Sequence, residues 1–160
     1  MFIIYLLLNI LFLFYILAWD AFYIKNETKF FKDRHWLQRE FDDLKTSEPV
    51  RLLEVGCGVG NTAFPLLKCV ENAFIFACDY SCQSVQLVLK NPEYDPNRMK
   101  AFTFDLTSPT IPEDIVEPHS IDIITCIFVL SALDPKTMGQ AVKNIDRMLK
   151  PGGVVLFRGR

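Results

Sequence analysis

An acidic residue and three glycines at alternate positions open the stretch of sequence best suited to bind a small molecule. Residues 54–62 read EVGCGVGNT, so Glu54 precedes Gly56, Gly58 and Gly60. Glycine lets the backbone bend sharply and lets a ligand lie against main-chain N–H groups. The GxGxG spacing differs from the GxGxxG of dinucleotide-binding turns. Glu54 suits the ammonium of an amino-acid group better than it suits a pyrophosphate.

Two aspartates follow at the ends of predicted strands. Asp79 ends AFIFACD, where a carboxylate can accept both hydroxyls of a ribose, and Asp105 ends AFTFD, where it can accept from an exocyclic amine such as that of adenine. Either aspartate alone is more often a helix cap or a solvated turn residue. Together with Glu54 and the glycines, in this order, they describe the ammonium, ribose and adenine of S-adenosylmethionine. The residues therefore predict a methyltransferase-type cofactor site.

The elements that must position these residues alternate between strands and helices. Strands are predicted at 51–55, 73–78, 101–104, 121–129 and 154–157, and helices are predicted to begin at Asn61 or Thr62, at Ser81 and at Asp134. Pro151-Gly152-Gly153 is expected to stop the last helix. The strand at 121–129 is apolar almost throughout, which is typical of a strand buried on both faces and favours a place at the sheet centre. The predicted fold class is α/β: a doubly wound, mostly parallel Rossmann-like sheet that binds ligands at the carboxyl ends of its strands.

Composition fits one globular domain without a general footprint for nucleic acid. The 160 residues are 51% hydrophobic and hold 17 Lys+Arg against 19 Asp+Glu, so any RNA binding would have to be local. The cysteines form no CxxC pair and have no histidine cluster beside them, so no metal site is predicted. Scattered thiols fit a reducing compartment, and all of them are expected to be buried or half-buried: Cys57, Cys69, Cys78, Cys82 and Cys126.

Several motifs closely resemble one known family. WDAFY, FFKDRHWL, LLEVGCGVGNTAFPLL, IFVLSALDP and LKPGGVVLFR are similar to motifs of the eukaryotic methyltransferase-like enzymes that make 3-methylcytidine in tRNA, and the resemblance runs from about Trp19 to Arg158. It implies methyl transfer from S-adenosylmethionine to N3 of a cytidine in the tRNA anticodon loop, in the cytoplasm. It also implies that a partner such as seryl-tRNA synthetase assists some relatives. The residues that the resemblance implies are combined with the acidic residue and the glycines of the turn. The predicted cofactor-binding residues are then Trp19, Tyr23, Glu54, Gly56, Gly58, Gly60, Asp79, Asp105, Leu106 and Ile127.

The substrate side of the site is predicted from a basic and aromatic stretch. Residues 25–39 interleave lysines and arginines with aromatic rings, as recognition of an RNA loop requires. Lys32, Arg34 and His35 are the predicted substrate-binding residues. The alternative is a solvated helix face with the aromatic residues packed inward. No catalytic base is assigned, because N3 of neutral cytosine carries a lone pair and no proton, and orientation supplies the acceleration.

The amino-terminal run departs from the family pattern. Residues 1–19 carry no charged side chain, and about 18 to 20 such residues span a hydrocarbon core. Read alone, the run predicts a transmembrane helix whose following basic residues leave the remainder in the cytosol. The expected division is an apolar helix at 1–18, either a membrane segment or a non-family exon, and a methyltransferase domain at 19–160.

The carboxyl end also departs from the family, whose members continue past the fifth strand. The resemblance therefore leads to the hypothesis that the chain is a truncated isoform or an imperfect gene model, and it predicts that the fifth strand is left as an apolar edge. Three functions remain open: a tRNA cytidine N3-methyltransferase, an inactive cofactor-binding form, and a membrane-anchored methyltransferase with a non-RNA substrate.

Overall fold

A computed structural model of the protein describes residues 18–28 and 32–159, and the structural statements below refer to these ranges. The apolar run up to residue 17 lies outside them, as do Phe30 and Phe31, so the predictions made for those residues fall outside the described chain. Within the described ranges, no helix combines the length and the apolar character needed to cross a membrane.

Five parallel strands form one sheet in the order β3-β2-β1-β4-β5. The strands are β1 (Val50–Val55), β2 (Ala73–Asp79), β3 (Met99–Thr103), β4 (Ile121–Ile127) and β5 (Leu149–Arg158). The α/β prediction is confirmed. The expectation that the fourth strand is central is wrong, because β1 lies at the centre and β4 lies beside the edge strand β5. A penultimate strand is covered on both faces as fully as a central one, so a continuous apolar run does not distinguish the two positions.

Helices connect most of the strands and cover both faces of the sheet, whereas a loop without a helix joins β3 to β4. They are α1 (described over 18–26), α2 (Leu37–Glu40), α3 (Ala63–Cys69), α4 (Cys82–Leu89) and α5 (Pro135–Met148). Ser81 caps α4 and Asp134 caps α5 through their side-chain oxygens, as predicted. Thr62 stands at the start of α3 but does not cap it, since its own backbone is already helical and its hydroxyl accepts from Arg34 instead.

The last helix and the fifth strand meet earlier than predicted. α5 ends at Met148, and β5 begins at once with Leu149, so Pro151 and the two glycines after it lie inside the strand. A strand at the edge of a sheet tolerates proline, because one side of its backbone has no partner strand to receive an N–H. The pairing register shifts between Ile121 and Ile123 where β5 passes this segment.

Two apolar layers, one on each side of the sheet, form the core. Neighbouring residues of β1 point to opposite layers: Leu52 packs in the layer that contains residues of α3, and Leu53 packs in the layer that contains residues of α5. The sheet is thus covered on both faces, and its strand ends are left for the site.

The cysteines do not all behave as small core residues. Cys57, Cys78 and Cys126 are buried, whereas Cys69 and Cys82 are exposed. The prediction that all are buried or half-buried is wrong for the last two, because they terminate α3 and begin α4 on the solvent side. The described residues contain no group of three or more His, Cys, Asp or Glu side chains arranged to hold a metal ion.

Candidate cofactor site

The glycine-rich turn leaves β1 through three left-handed residues. Gly56, Gly58 and Gly60 have φ values of 62°, 54° and 88°, a region that side chains disfavour. A Cβ added to Gly56 would lie 2.5 Å from a methyl of Val129, and one added to Gly58 would lie 2.8 Å from the hydroxyl oxygen of Tyr23. Conformation and close packing therefore both require glycine in this turn.

Asp79, the last residue of β2, holds the turn in shape. Its Oδ2 accepts from the backbone N–H of Gly58 at 2.8 Å, and its Oδ1 accepts from the N–H of Ser81 at 2.9 Å. Burial raises the pKa of the Asp79 carboxyl, and these two N–H groups oppose the rise. A carboxylate has about four lone-pair positions, so two hydroxyls of a ligand can still be accepted.

Glu54 is a buried carboxylate without a hydrogen bond of good geometry. Its side chain is 1% exposed, and neither oxygen makes a hydrogen bond of good geometry among the described residues, although the Thr62 hydroxyl and the Ala63 N–H are near enough to lower its pKa. The nearest cation is the Arg34 guanidinium, whose Nη1 lies 3.8 Å from Oε1. Burial raises the pKa of Glu54 to about 8, and the Arg34 charge opposes the rise. An unpartnered carboxylate is costly in the interior, and a cationic ligand group would satisfy it.

The segment that carries Arg34 lies over the glycine-rich turn. The Arg34 backbone N–H donates to the carbonyl of Asn61 at 2.8 Å, and Nη1 donates to the Thr62 hydroxyl at 2.7 Å. The Asn61 amide in turn donates to Asp33 at 3.0 Å. Arg34, predicted to bind substrate, therefore points into the site beside Glu54.

Lys32 and His35 are the other two residues predicted to bind substrate. Both are exposed and line an open cavity of about 490 Å³. Asn61 and Phe64 form part of the same cavity. His35 also lines a second, smaller cavity of about 170 Å³ together with Arg34, so His35 is common to both cavities.

Helix α1 contacts the same end of the sheet through aromatic and polar residues. Tyr23 is buried against Gly58, and its ring stacks with that of Trp19 at a centroid distance of 6.0 Å. The Ser81 hydroxyl donates to Asp20, which ties α1 to the start of α4. Burial, followed by the charge of Asp79, raises the pKa of Tyr23, so its hydroxyl stays protonated.

Asp105 follows β3 and lies next to the end of β2. Its Oδ1 accepts from the N–H and the hydroxyl of Thr107, at 2.8 and 2.7 Å. The backbone N–H of Phe104 donates to the carbonyl of Asp79 at 2.9 Å, which holds the two strand ends together. Leu106 and Ile127 are both buried. The strand-end aspartates are therefore neighbours, as the parallel sheet predicted.

Comparison with known proteins identifies the family. Residues 53–155 match the model of the family described as "Methyltransferase domain". The chain belongs to this family. Over 145 residues this methyltransferase domain is 48% identical to the tRNA N(3)-cytidine methyltransferase METTL6 of Homo sapiens, covering 88% of this chain and 51% of that protein. Over 144 residues it is 44% identical to the tRNA N(3)-methylcytidine methyltransferase trm141 of Schizosaccharomyces pombe, covering 88% of this chain and 58% of that protein.

These relatives confirm the resemblance seen in the motifs, and the chain spans about half the length of the curated relatives it matches. Solved structures share the fold at low identity. One belongs to a complex of the Haloferax volcanii Trm112 methyltransferase activator with a methyltransferase, with a TM-score of 0.66, 23% identity and coverage of 86% of this chain and 57% of that one. Another is the glycopeptide N-methyltransferase MtfA complexed with S-adenosylmethionine, with a TM-score of 0.64, 18% identity and coverage of 79% of this chain and 54% of that one.

One residue at the site of the methyltransferase domain was missed by sequence reasoning. Phe128 follows β4 with a φ of 62°, a strained conformation for an aromatic residue, and its side chain is 38% exposed. The Arg34 guanidinium lies 5.8 Å from its ring centre. The predicted strand continued to Val129, but β4 ends at Ile127 because Phe128 turns the chain. No sequence signal marks a phenylalanine for the left-handed region.

Proposed function

We propose that the chain binds S-adenosylmethionine and transfers its methyl group to N3 of a cytidine in the tRNA anticodon loop. The observation that carries the proposal is the 48% identity over 145 residues with a tRNA N(3)-cytidine methyltransferase. At this identity the similarity extends well beyond the fold, which structures at 18 and 23% identity already share. The proposed domain covers 19–160, apart from the apolar segment 1–18, and works in the cytoplasm.

The residues around the turn fit this cofactor by their chemistry. Glu54 is an unpartnered buried carboxylate that suits the ammonium, and the turn offers backbone N–H groups with no Cβ in the way. Asp79 has the lone pairs for the ribose hydroxyls, and Asp105, at the neighbouring strand end, suits the adenine amine. Apolar and aromatic walls would come from Trp19, Tyr23, Leu106 and Ile127.

The reaction requires little proton transfer by the protein. When bound, S-adenosylmethionine supplies a methyl group on a positively charged sulfur that a lone pair can attack in line. N3 of cytosine has that lone pair and loses no proton, so the chain needs to orient the two reactants and exclude water rather than supply a base. The methylated base carries a positive charge, which a carboxylate near it would offset without transferring a proton.

The substrate side rests on Lys32 and His35, which line the open cavity beside the turn. An exposed ammonium and imidazole there suit backbone phosphates of an RNA loop. Phe128 is exposed at the carboxyl end of β4, at the same end of the sheet as the turn, and offers a ring face there. We include an aminoacyl-tRNA synthetase such as seryl-tRNA synthetase as a partner to be supplied in the assay.

The experiment measures binding first and methylation second. Calorimetry of the purified chain with S-adenosylmethionine is expected to show saturable binding that Asp79→Ala abolishes. Asp146→Ala, an exposed aspartate on α5, serves as the control, and circular dichroism checks that each variant is folded. The chain is then incubated with tRNA transcripts, with and without seryl-tRNA synthetase, and 3-methylcytidine is quantified by mass spectrometry of the nucleosides.

Each result decides between the functions. Binding followed by 3-methylcytidine formation supports the proposal. Binding without any modified tRNA, even with the synthetase present, would instead support an inactive cofactor-binding chain. If the folded chain does not bind S-adenosylmethionine, both the proposed cofactor and the proposed enzymatic activity are contradicted. Methyl transfer to a membrane-associated acceptor, with tRNA left unmodified, would support the third function.

A further inference from the structure

The connection from β3 to β4 contains no helix, so its backbone polar groups depend on partners elsewhere in the chain. Residues 104–120 make up this connection, and they include Asp105 and Leu106 of the candidate cofactor site. A connection of this length without a helix or strand of its own is uncommon in a compact domain. Its shape is therefore fixed by contacts with other elements, and α5 supplies several of them.

Three residues of α5 form a polar stripe along this connection. Gln140, Asn144 and Arg147 are spaced by four and three positions, so they lie on one face of the helix. Nε2 of Gln140 donates to the carbonyl of Ser108 at 3.3 Å, and Nη1 of Arg147 donates to the carbonyl of Pro109 at 3.3 Å. The central member of the stripe, Asn144, makes the shortest contacts with the loop.

Asn144 is a buried amide whose nitrogen donors and oxygen are all engaged. Its Nδ2 donates to the carbonyl of Leu106 at 2.9 Å and to the carbonyl of Ser108 at 2.7 Å. Its Oδ1 accepts from Nε2 of Gln140 at 3.1 Å, and the residue is 0% exposed. A buried amide is costly unless its groups are bonded, and packing alone would be served by an apolar side chain. Both donors of this amide hold the loop that follows β3.

We propose that Asn144 is a positioning residue that sets where Asp105 meets the adenine of the cofactor. This inference rests on the proposed function, in which Asp105 binds the adenine amine. Oδ1 of Asp105 accepts from the N–H and the hydroxyl of Thr107, at 2.8 and 2.7 Å, and its backbone carbonyl accepts from the N–H of Ser108 at 2.9 Å. Asn144 holds the residues on either side of Thr107, which are Leu106 and Ser108. The place of the carboxylate therefore follows from the two carbonyls that Asn144 holds.

The position of Asp105 decides whether the site distinguishes adenine from a related purine. A carboxylate accepts a hydrogen bond from the exocyclic amine of adenine, whereas the carbonyl that hypoxanthine carries at that position offers only another acceptor. Hydrogen bonds of this kind need a separation close to about 2.9 Å, so a loop that relaxes by about an ångström loses the distinction. Asn144 thus contributes to specificity through the loop rather than by touching the ligand.

The test compares two ligands that differ at the adenine amine. S-adenosylhomocysteine has the amine, and S-inosylhomocysteine has a carbonyl oxygen in its place. Calorimetry of the full chain is expected to show that the wild type binds the inosine ligand roughly tenfold to a hundredfold more weakly, as loss of a hydrogen bond to a charged group predicts. Asp105→Ala should bring the ratio of the two dissociation constants close to one, because it removes the acceptor.

Variants of α5 separate positioning from stability. Asn144→Ala should also bring the ratio close to one, because the two loop carbonyls lose their donors. Gln140→Met, which removes one donor to the loop and leaves Asn144 in place, should lower the ratio by a smaller factor of about two to five. Asp134→Ala destabilises the same helix through its cap and should leave the ratio unchanged. Asn144→Ala combined with Asp105→Ala should lower the ratio no further than either change alone, since both act on one contact.

The possible outcomes distinguish failure of the inference from failure of the proposed function. An undiminished ratio in a folded Asn144→Ala variant would overturn the inference and leave the cofactor proposal intact. An equal fall of the ratio in Asp134→Ala would also overturn it, since helix stability would then explain the effect. If Asn144→Ala does not fold, Gln140→Met decides, and an unchanged ratio there would overturn the inference.

The wild type supplies the remaining outcomes. Equal binding of the two ligands would overturn the inference, because Asp105 would then not select the amine. If the wild type binds neither ligand, the proposed function fails, and the inference fails with it.

Discussion

Glu54 shows how one residue can oppose folding and favour binding. Glu54 lies on β1, the central strand of the sheet, and its buried carboxyl makes no hydrogen bond of good geometry among the described residues. Its pKa in the folded chain, about 8, lies above the ordinary value of 4.5 because burial disfavours the charge. The folded state therefore holds this proton more tightly than the unfolded state does. Below about pH 4.5 the group adds no ionisation cost, and the cost grows as the pH rises toward 8.

Replacing Glu54 by glutamine should change both the pH dependence and the affinity. We expect Glu54→Gln to raise the free energy of unfolding by about 1 to 3 kcal/mol at pH 8 and to change it little at pH 5, because the neutral amide never ionises. Urea unfolding of the ligand-free chain at both pH values measures this. Glu117→Gln, at an exposed glutamate paired with Arg51, is the control and should change little at either pH. An equal effect of Glu54→Gln at the two pH values would show that the carboxyl is not buried as described.

The same variant should bind the cofactor more weakly, most clearly above pH 7. The ammonium of the ligand prefers an ionised Glu54, so affinity of the wild type should rise with pH up to about 8 and then level off. Glu54→Gln should lose this rise. Calorimetric titrations from pH 6 to pH 8.5 would show it, and parallel pH profiles for the two proteins would rule Glu54 out as the ammonium ligand.

The glycines allow a matched comparison within one chain. Gly58→Ala places a methyl 2.8 Å from the Tyr23 hydroxyl oxygen at a φ of 54°, whereas Gly139→Ala, in α5, has nothing within 4 Å of the new atom. We expect Gly58→Ala to lower the free energy of unfolding by about 1 to 3 kcal/mol and to abolish cofactor binding. Gly139→Ala should raise the free energy of unfolding by about 0.5 to 1 kcal/mol, since alanine favours a helix. Thermal unfolding and calorimetry measure both, and a Gly58→Ala variant that binds normally would exclude the turn from the site.

At the scale of elements, the polar contacts of α1 connect the amino-terminal aromatic residues to the sheet. Ser81 has two tasks, because its oxygen caps α4 by accepting from Ser84 and its hydroxyl donates to Asp20. Asp134 caps α5 by accepting from Lys136 and takes no part in the site. Losing either cap should cost about the same helix stability, whereas only Ser81 also anchors α1.

We therefore expect Ser81→Ala and Asp134→Ala each to destabilise the fold by about 1 kcal/mol, with different effects on binding. Ser81→Ala should weaken cofactor binding severalfold, because Tyr23 and Trp19 are then less firmly placed. Asp134→Ala should leave binding unchanged. Unfolding by urea and calorimetry of the folded variants distinguish the two effects, and equal affinities for both variants would mean that α1 does not support the site.

The elements also show what the sequence could and could not specify. The strands and the caps at Ser81 and Asp134 depend on local signals, such as an apolar run followed by glycine or a serine before a helix, and these were predicted correctly, whereas Thr62 does not cap α3. Strand ends were less certain, as with β4, which stops at Ile127 because Phe128 takes up a left-handed conformation. The approach of Arg34 to Glu54 joins residues 20 positions apart in sequence, through backbone contacts that no local pattern encodes. For that reason sequence reasoning, which predicted Arg34 as a substrate-binding residue, did not place it beside Glu54.

For the molecule as a whole, the sheet is covered well on its faces and least at one edge. Within the described residues, β5 pairs with β4 on one side, and most of its residues are half-buried or exposed. Val155 and Phe157 are 38% and 52% exposed on this strand. An edge strand that carries exposed apolar side chains can pair with another chain. The resemblance to the family predicted an apolar edge at the fifth strand, and in the described residues β5 pairs with β4 alone.

The purified chain should consequently associate as its concentration rises, through β5. Phe157→Lys places a charge on the edge strand and should shift association to at least several times higher concentration, as lysines on natural edge strands do. Val142→Lys is the matched control, because Val142 is 50% exposed but lies on α5 rather than on the edge strand. Sedimentation velocity over a range of concentrations measures the shift. If both variants associate equally, the association occurs through another surface. If only Phe157→Lys weakens the association, the association occurs through β5, and this variant would also be useful in the binding assays.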